Sequence, residues 1–251
     1  MESFDPVSAA THLGMAVWTA FAGVLAWRLT SGHGPARRAS VALYAVSAVV
    51  LYLASGTFHG LMAAYASAAQ SREELKATLW VAQRLDKTAI FLLILGSNLP
   101  VVVYLLRGWW RGVCIAGTTL FAAAGITAMW TWPGLPHSAL VGLYVGMGVF
   151  GLVPFRQYLP RIGWRGMGWI LAFAAVYILG AAADVAKWPT LLPGVFGPHE
   201  LLHVCDMLAT LIHYGFLLRF VIVPAAATGD PSGLAGRIGL TPTPLGLGSV
   251  Q

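Results

Sequence analysis

Apolar positions along this chain come in runs too long for the core of a soluble domain. Val41–Leu53, Thr88–Leu106 and Gly166–Ala183 carry almost no charge. About 20 apolar residues in a helix span a bilayer, because each adds about 1.5 Å of rise. The runs do not alternate polar and apolar positions in short segments, as the strands of a membrane barrel would. Backbone groups in lipid must be satisfied within the segment, so helices are the expected element. The pattern predicts seven spans at residues 8–28, 39–63, 84–106, 113–131, 138–155, 166–186 and 198–222. The expectation is therefore an all-α integral membrane bundle of seven transmembrane helices within residues 1–223. Residues 224–251 are rich in Gly, Pro and Thr and read as a disordered tail.

Punctuation between the runs refines this picture. Ser71 and Glu74 have capping-box spacing and point to an interfacial extension ahead of the third span. Pro100 is expected to kink or locally open that span. Gly142 and Gly146 form a GxxxG pair, read as a surface for close helix approach. Trp27, Trp80, Trp109, Trp110, Trp130, Trp132, Trp164 and Trp188 fall near span ends, as in the aromatic belts at headgroup level.

Composition supports the membrane reading. The 251 residues are 58% hydrophobic and only 10% charged, with mean hydropathy +0.74. A soluble domain carries about 25% charged residues. Cys114 and Cys205, the two cysteines, both fall inside expected spans, which argues against a disulfide framework. The first apolar run follows Glu2 and Asp5 with no basic residue, unlike a secretory signal, so it is expected to stay as a span.

The net charge of +6 does not call for nucleic acid, because the basic residues lie between apolar runs. Seven spans place the chain ends on opposite sides. The side opposite the N-terminus holds Arg28, Arg37, Arg38, Arg107, Arg111, Arg156, Arg161, Arg165, Arg219 and Arg237. The N-terminal side holds Arg72, Lys76, Arg84, Lys87 and Lys187. Ten against five assigns the first group to the cytoplasm and the N-terminus to the outside.

Ionisable groups inside spans are costly and mark function by default. His59 ends the second span, Asp86 begins the third, and His199 and His203 open the seventh. All four come to one depth, near the N-terminal side. His199 and His203 are i and i+4, on one helix face about 6 Å apart, where two imidazoles can chelate one ion. Ser55 and His59 have the same relation, with Ser55 one turn deeper. A single intramembrane histidine is usually a hydrogen bond between helices. Three imidazoles at one depth instead match a catalytic Zn2+ site with an open position. Asp86 could then take a proton from bound water, and Ser55 could orient that water or a substrate carbonyl.

The remaining polar residues rank lower. His12 opens the first span, where a supporting role is open to it. His213 lies about 15 Å deeper than His203 and is assigned to packing. His33 and His137 are read as solvated loop residues, and Asp184 and Lys187 as snorkelling at a span end. Cys205 should point away from the metal, and Asp206 is a secondary partner. His199–His203 also spells H-E-x-x-H, in which Glu200 would be the general base of a metalloprotease. No suitably spaced third ligand follows it.

Ser55-Gly-Thr-Phe-His59, the segment Arg84–Pro100 and His199-Glu-Leu-Leu-His203 together resemble the hemolysin III family. That family lies within the progestin and adipoQ receptor group and is related to alkaline ceramidases. The resemblance implies zinc ligation by His59, His199 and His203, with Asp86 beside the metal-bound water and Ser55 as the matching serine. Before the first span the family often has Glu-x-x-Asn-x-x-Thr-His. Here those positions are Asp5, Ser8, Thr11 and His12, and Lys87 replaces a common histidine after the Asp. The implied function is zinc-dependent hydrolysis of a lipid amide, with a membrane lipid as substrate. The alternative is a receptor-like or cytolytic membrane protein with structural zinc. A multi-pass location in a cell membrane is implied, most simply a bacterial cytoplasmic membrane.

Overall fold

The computed structural model describes residues 6–67, 72–193 and 196–224. Seven helices follow in order: α1 Pro6–Leu29, α2 Pro35–Ser67, α3 Arg72–Leu105, α4 Trp109–Thr131, α5 His137–Phe150, α6 Phe155–Ala186 and α7 Pro198–Phe216. The last continues as a π-helical segment, Leu217–Ile222. The described residues contain no strand, only one isolated bridge between Leu192 and Phe196. Six helices are long and apolar enough to cross a bilayer. The chain is thus an all-α membrane bundle.

The fifth expected span is shorter than anticipated. Its helix has 14 residues and is about 21 Å long, against a hydrocarbon core of about 30 Å. The apolar run does extend to residue 155, but Gly151–Pro154 forms a turn instead of more helix. At α6, Gly163 adopts φ 62°, a left-handed conformation that glycine takes without a Cβ penalty. The chain breaks there, so the spanning part begins just after it, close to the expected residue 166.

α3 begins at Arg72, twelve residues before the expected span, and so includes the interfacial extension. It runs through Pro100 to Leu105 as one helix. Ser71 and the tail from Ala225 lie outside the described residues. The GxxxG pair does not make a close contact. A Cβ at Gly142 would meet nothing within 4 Å, and one at Gly146 only Phe121 at 3.9 Å. Close approach occurs instead at Gly180 of α6, where an added Cβ would sit 2.7 Å from Cβ of Cys205 on α7. Cys205 therefore faces α6, and the i+2 offset from His203 turns it off the histidine face.

α1 packs on α2, α2 on α3, and α6 on α7, while α5 touches α3, α4 and α6. The main core joins Val41, Tyr44 and Leu51 with Val101, Leu105, Tyr214, Leu217 and Val221. It fills the half of the bundle away from the histidines. A second core, Phe91, Ala122, Met129, Leu140 and Met147, ties α3, α4 and α5 together. Beside these cores, and lined in part by their residues, a cavity of about 250 Å³ stays open.

Candidate metal centre

The centre forms where the polar ends of α1, α2, α3, α6 and α7 meet. Pro198 opens α7, and the carboxylate of Glu200 accepts the Gly197 N–H at 2.6 Å. Glu200 therefore caps its own helix, and that contact occupies the group an H-E-x-x-H protease would use as base. One turn apart, His199 and His203 share a face, with their Nε2 atoms 3.1 Å apart. The His59 ring lies 4.8 Å from that of His203 and 5.5 Å from that of His199, centre to centre. The depth argument thus brought the three expected imidazoles together.

A fourth histidine joins them. Ring nitrogens of His12, His59 and His203 all lie within 4.8 Å of one another. The His12 ring stands edge-on to His203 at 4.4 Å. His12 is 2% exposed and His59 7%. Both ring nitrogens of His12 and Nε2 of His59 lack a hydrogen-bond partner among the described residues. Buried polar atoms normally have partners. Imidazole nitrogens that converge from three helices in this way form a donor set suited to a divalent cation such as zinc.

Carboxylates surround the imidazoles. Ser55, buried on α2, hydrogen-bonds the side chain of Asp86 on α3, which lies within electrostatic reach of His199. The spacing argument had placed both residues on this side. Asp184 is a correction. Far from snorkelling, its side chain is 1% exposed. One carboxylate oxygen meets His137 Nε2 at 2.6 Å, and the other meets Lys187 Nζ at 3.2 Å and His199 Nδ1 at 3.4 Å. His137 is correspondingly not a free loop residue but the anchor of α5 to α6. A carboxylate behind a ligating histidine sets its tautomer and ring orientation. The readable signal was an Asp inside an otherwise apolar run. Its nearness to Lys187 made it look like a span end.

The cavity leads away from this cluster into the bundle. Ser55, Asp86, Asp184, His199, His203 and Asp206 line its mouth, and Leu93, Val101, Val145, Leu152 and Ile170 its interior. Beside Asp206, Tyr52 donates to Thr210 Oγ1 at 2.8 Å, and Tyr177 shares that hydroxyl at 3.1 Å. His213, assigned to packing from sequence, reaches the deep part of the cavity wall between the Tyr44 and Phe173 rings.

A multi-span bundle with histidines from α1, α2 and α7 meeting beside an apolar cavity defines a narrow class of membrane protein. Residues 3–214 match the haemolysin-III related family, and the chain belongs to it. It is 29% identical over 150 residues to "Progestin and adipoQ receptor-like protein 1" of Caenorhabditis elegans, covering 52% of this chain and 34% of that protein. It is 28% identical over 155 residues to "Heptahelical transmembrane protein 1" of Arabidopsis thaliana, covering 55% of this chain and 46% of that protein. The chain thus spans about a fifth to just under half of the length of the curated relatives it matches.

Proposed function

We propose that this protein is a zinc-dependent hydrolase of a lipid amide, with His59, His199 and His203 holding the ion. The observation that carries this reading is the meeting of the buried His12 and His59 rings, whose nitrogens named above lack partners among the described residues, with His199, His203 and the Ser55–Asp86 pair beside an apolar cavity. A polar head can rest at the mouth while an acyl chain lies among α3, α5 and α6. Bound zinc would supply a water acidic enough to attack near neutral pH and would polarise the acyl carbonyl.

The chain's own groups do the rest. Asp86 accepts the proton of the attacking water as the new C–O bond forms. Ser55 holds the Asp86 carboxylate in place. As the C–N bond breaks, Asp86 returns that proton to the departing amine, so the products are a carboxylic acid and an amine. Asp184 steadies His199 from behind. The apolar cavity wall keeps other water away from the carbonyl.

The test uses purified full-length protein, with ceramides and other N-acyl lipids as probes and metal content measured alongside. His59→Ala and His203→Ala should lose both zinc and hydrolysis. Asp86→Asn should keep zinc and lose turnover. Retained hydrolysis in Asp86→Asn would refute the role of Asp86, and a wild-type protein that turns over no acyl amide would refute the reading. The printed name of the nematode relatives favours a second reading, a receptor-like protein with structural zinc. Under that reading zinc binds, no lipid amide is cleaved, and Asp86→Asn has no catalytic effect. For location we propose a cell membrane, most simply a bacterial cytoplasmic membrane; the relatives named are from nematodes and a plant.

A further inference from the structure

We infer that Asp206 reads a hydroxyl group on the acyl chain of the substrate, within a few carbons of the carbonyl, so that the preferred lipid is a hydroxyacyl amide. This rests on the reading that the cavity takes the acyl chain of a lipid amide.

Polar residues recur along α7 at His199, His203, Asp206, Thr210 and His213, with spacings of four, three, four and three. Such spacings keep them on one face of a helix. The cavity lies against that face, since His199, His203, Asp206 and His213 all line it. Asp206 therefore stands about one turn, roughly 5 Å, below His203 in the direction an acyl chain would run. It is within electrostatic reach of Asp86, which places it near the carbonyl that Asp86 serves.

A carboxylate inside the membrane is costly and calls for a role. Joining helices is not that role. Tyr52 of α2 donates to the Thr210 hydroxyl at 2.8 Å, and Tyr177 of α6 shares that hydroxyl at 3.1 Å. Thr210 alone thus ties α2, α6 and α7 together. The Tyr52 hydroxyl also reaches Asp206. It has a single proton, however, and its shorter bond gives that proton to Thr210. Asp86, on the same cavity, offers like charge and not a partner. Asp206 is left partly open to a largely apolar cavity.

A chain of bare methylenes laid against it would remove its water and give no bond in return. A hydroxyl on that chain would donate to the Asp206 carboxylate, and the Tyr177 hydroxyl beside it also lines the cavity. A cationic group would match the charge, but it would have to shed its hydration along an apolar path. A hydroxyl is neutral and avoids most of that cost.

The experiment uses purified full-length protein with zinc and lipid amides of one headgroup and one chain length. The acyl chain is unsubstituted, or hydroxylated at its second or its third carbon. Wild type should favour a hydroxylated probe by about 10–100-fold in kcat/KM, the effect of one hydrogen bond to a charged group. Asp206→Leu should lose the preference, turn over the unsubstituted amide at least as fast, and keep its zinc. Asp206→Asn preserves the size and should show a reduced preference; it decides the matter if the Leu variant does not fold. Equal use of all three probes by wild type, or an unchanged preference in the folded variants, would overturn the inference and leave lipid-amide hydrolysis standing. Loss of turnover on every probe in folded, zinc-loaded variants would overturn it too, by placing Asp206 in the reaction itself. Binding of the same probes is read as the rise in melting temperature. A larger rise with a hydroxylated probe in wild type but not in Asp206→Leu, with no amide cleaved, would refute the proposed function and uphold this inference. No preferential binding and no cleavage would overturn both.

Discussion

Replacing Asp184 by Asn separates two jobs that one buried carboxylate performs. The substitution keeps the size and removes the charge. Of its contacts, the bond to His137 Nε2 is the short one at 2.6 Å, whereas His199 Nδ1 stands 3.4 Å away. The contact to Lys187 belongs to a side chain 68% exposed, and such pairs contribute about 0–1 kcal/mol. The His137 bond therefore carries most of the stability. Hydrogen bonds involving charged groups contribute about 1.5–3 kcal/mol, and Asn should forfeit about that much. For a chain of this size each kcal/mol moves the melting temperature by about 2–4 °C. The long contact to His199 makes the metal effect modest, near the lower end of the roughly 10–100-fold range for outer carboxylates. Tenfold is about 1.4 kcal/mol. Thermal melts in detergent, with and without zinc, read both quantities. His137→Phe should reproduce the melting loss but not the change in zinc affinity, and Lys187→Ala should do little to either. Equal zinc affinity in wild type and Asp184→Asn would refute the orienting role. A melting loss larger in Lys187→Ala than in His137→Phe would refute the energetic ranking.

Three other outcomes are expected. His33, in the loop between α1 and α2, pairs with the Tyr104 hydroxyl, and its pKa is lowered by burial and then by the Arg37 charge. The unfolded chain takes up that proton as pH falls through about 6.5 while the folded chain does not, so the contribution is full above 6.5 and fades below it; melts of wild type against His33→Gln should converge between pH 7.5 and 5.5, and a gap that widens on acidification would contradict this. Gly180→Ala forces a Cβ to within 2.7 Å of Cys205 Cβ and 3.3 Å of the Leu202 Cα; overpacking of about 1–3 kcal/mol should lower the melting temperature, and Gly142→Ala, with open space, should not. Reporter fusions should place the C-terminus in the cytoplasm and the α2–α3 connection outside, and the reverse pattern would overturn the arginine count.

What could be read before the structure follows from what hydropathy measures. An apolar run locates a residue along the membrane normal to within a turn or two. That sufficed to bring His59, Asp86, His199 and His203 to one level from three helices. It also placed α6, because the left-handed Gly163 interrupts the helix near where the run becomes purely apolar. It failed at α5, where Gly151–Pro154 continues the apolar run without continuing the helix. Depth alone says nothing about rotation about the helix axis. Rotation was recoverable where polar groups recur at i and i+4, as at Ser55 and His59 or His199 and His203. Gly142 and Gly146 have helical spacing too, but a smooth face matters only if a neighbour lies on it, and nothing lies within 4 Å of a Cβ at Gly142. Asp184 has Lys187 three residues after it, and His12 has Ser8 four residues before it on the same buried face, but neither spacing names a partner on another helix. Their places are set by partners on other helices, His137 and His199 for one, His59 and His203 for the other. An ionisable residue in an apolar run therefore gives a depth and a cost. The group that offsets the cost becomes visible only when the bundle closes.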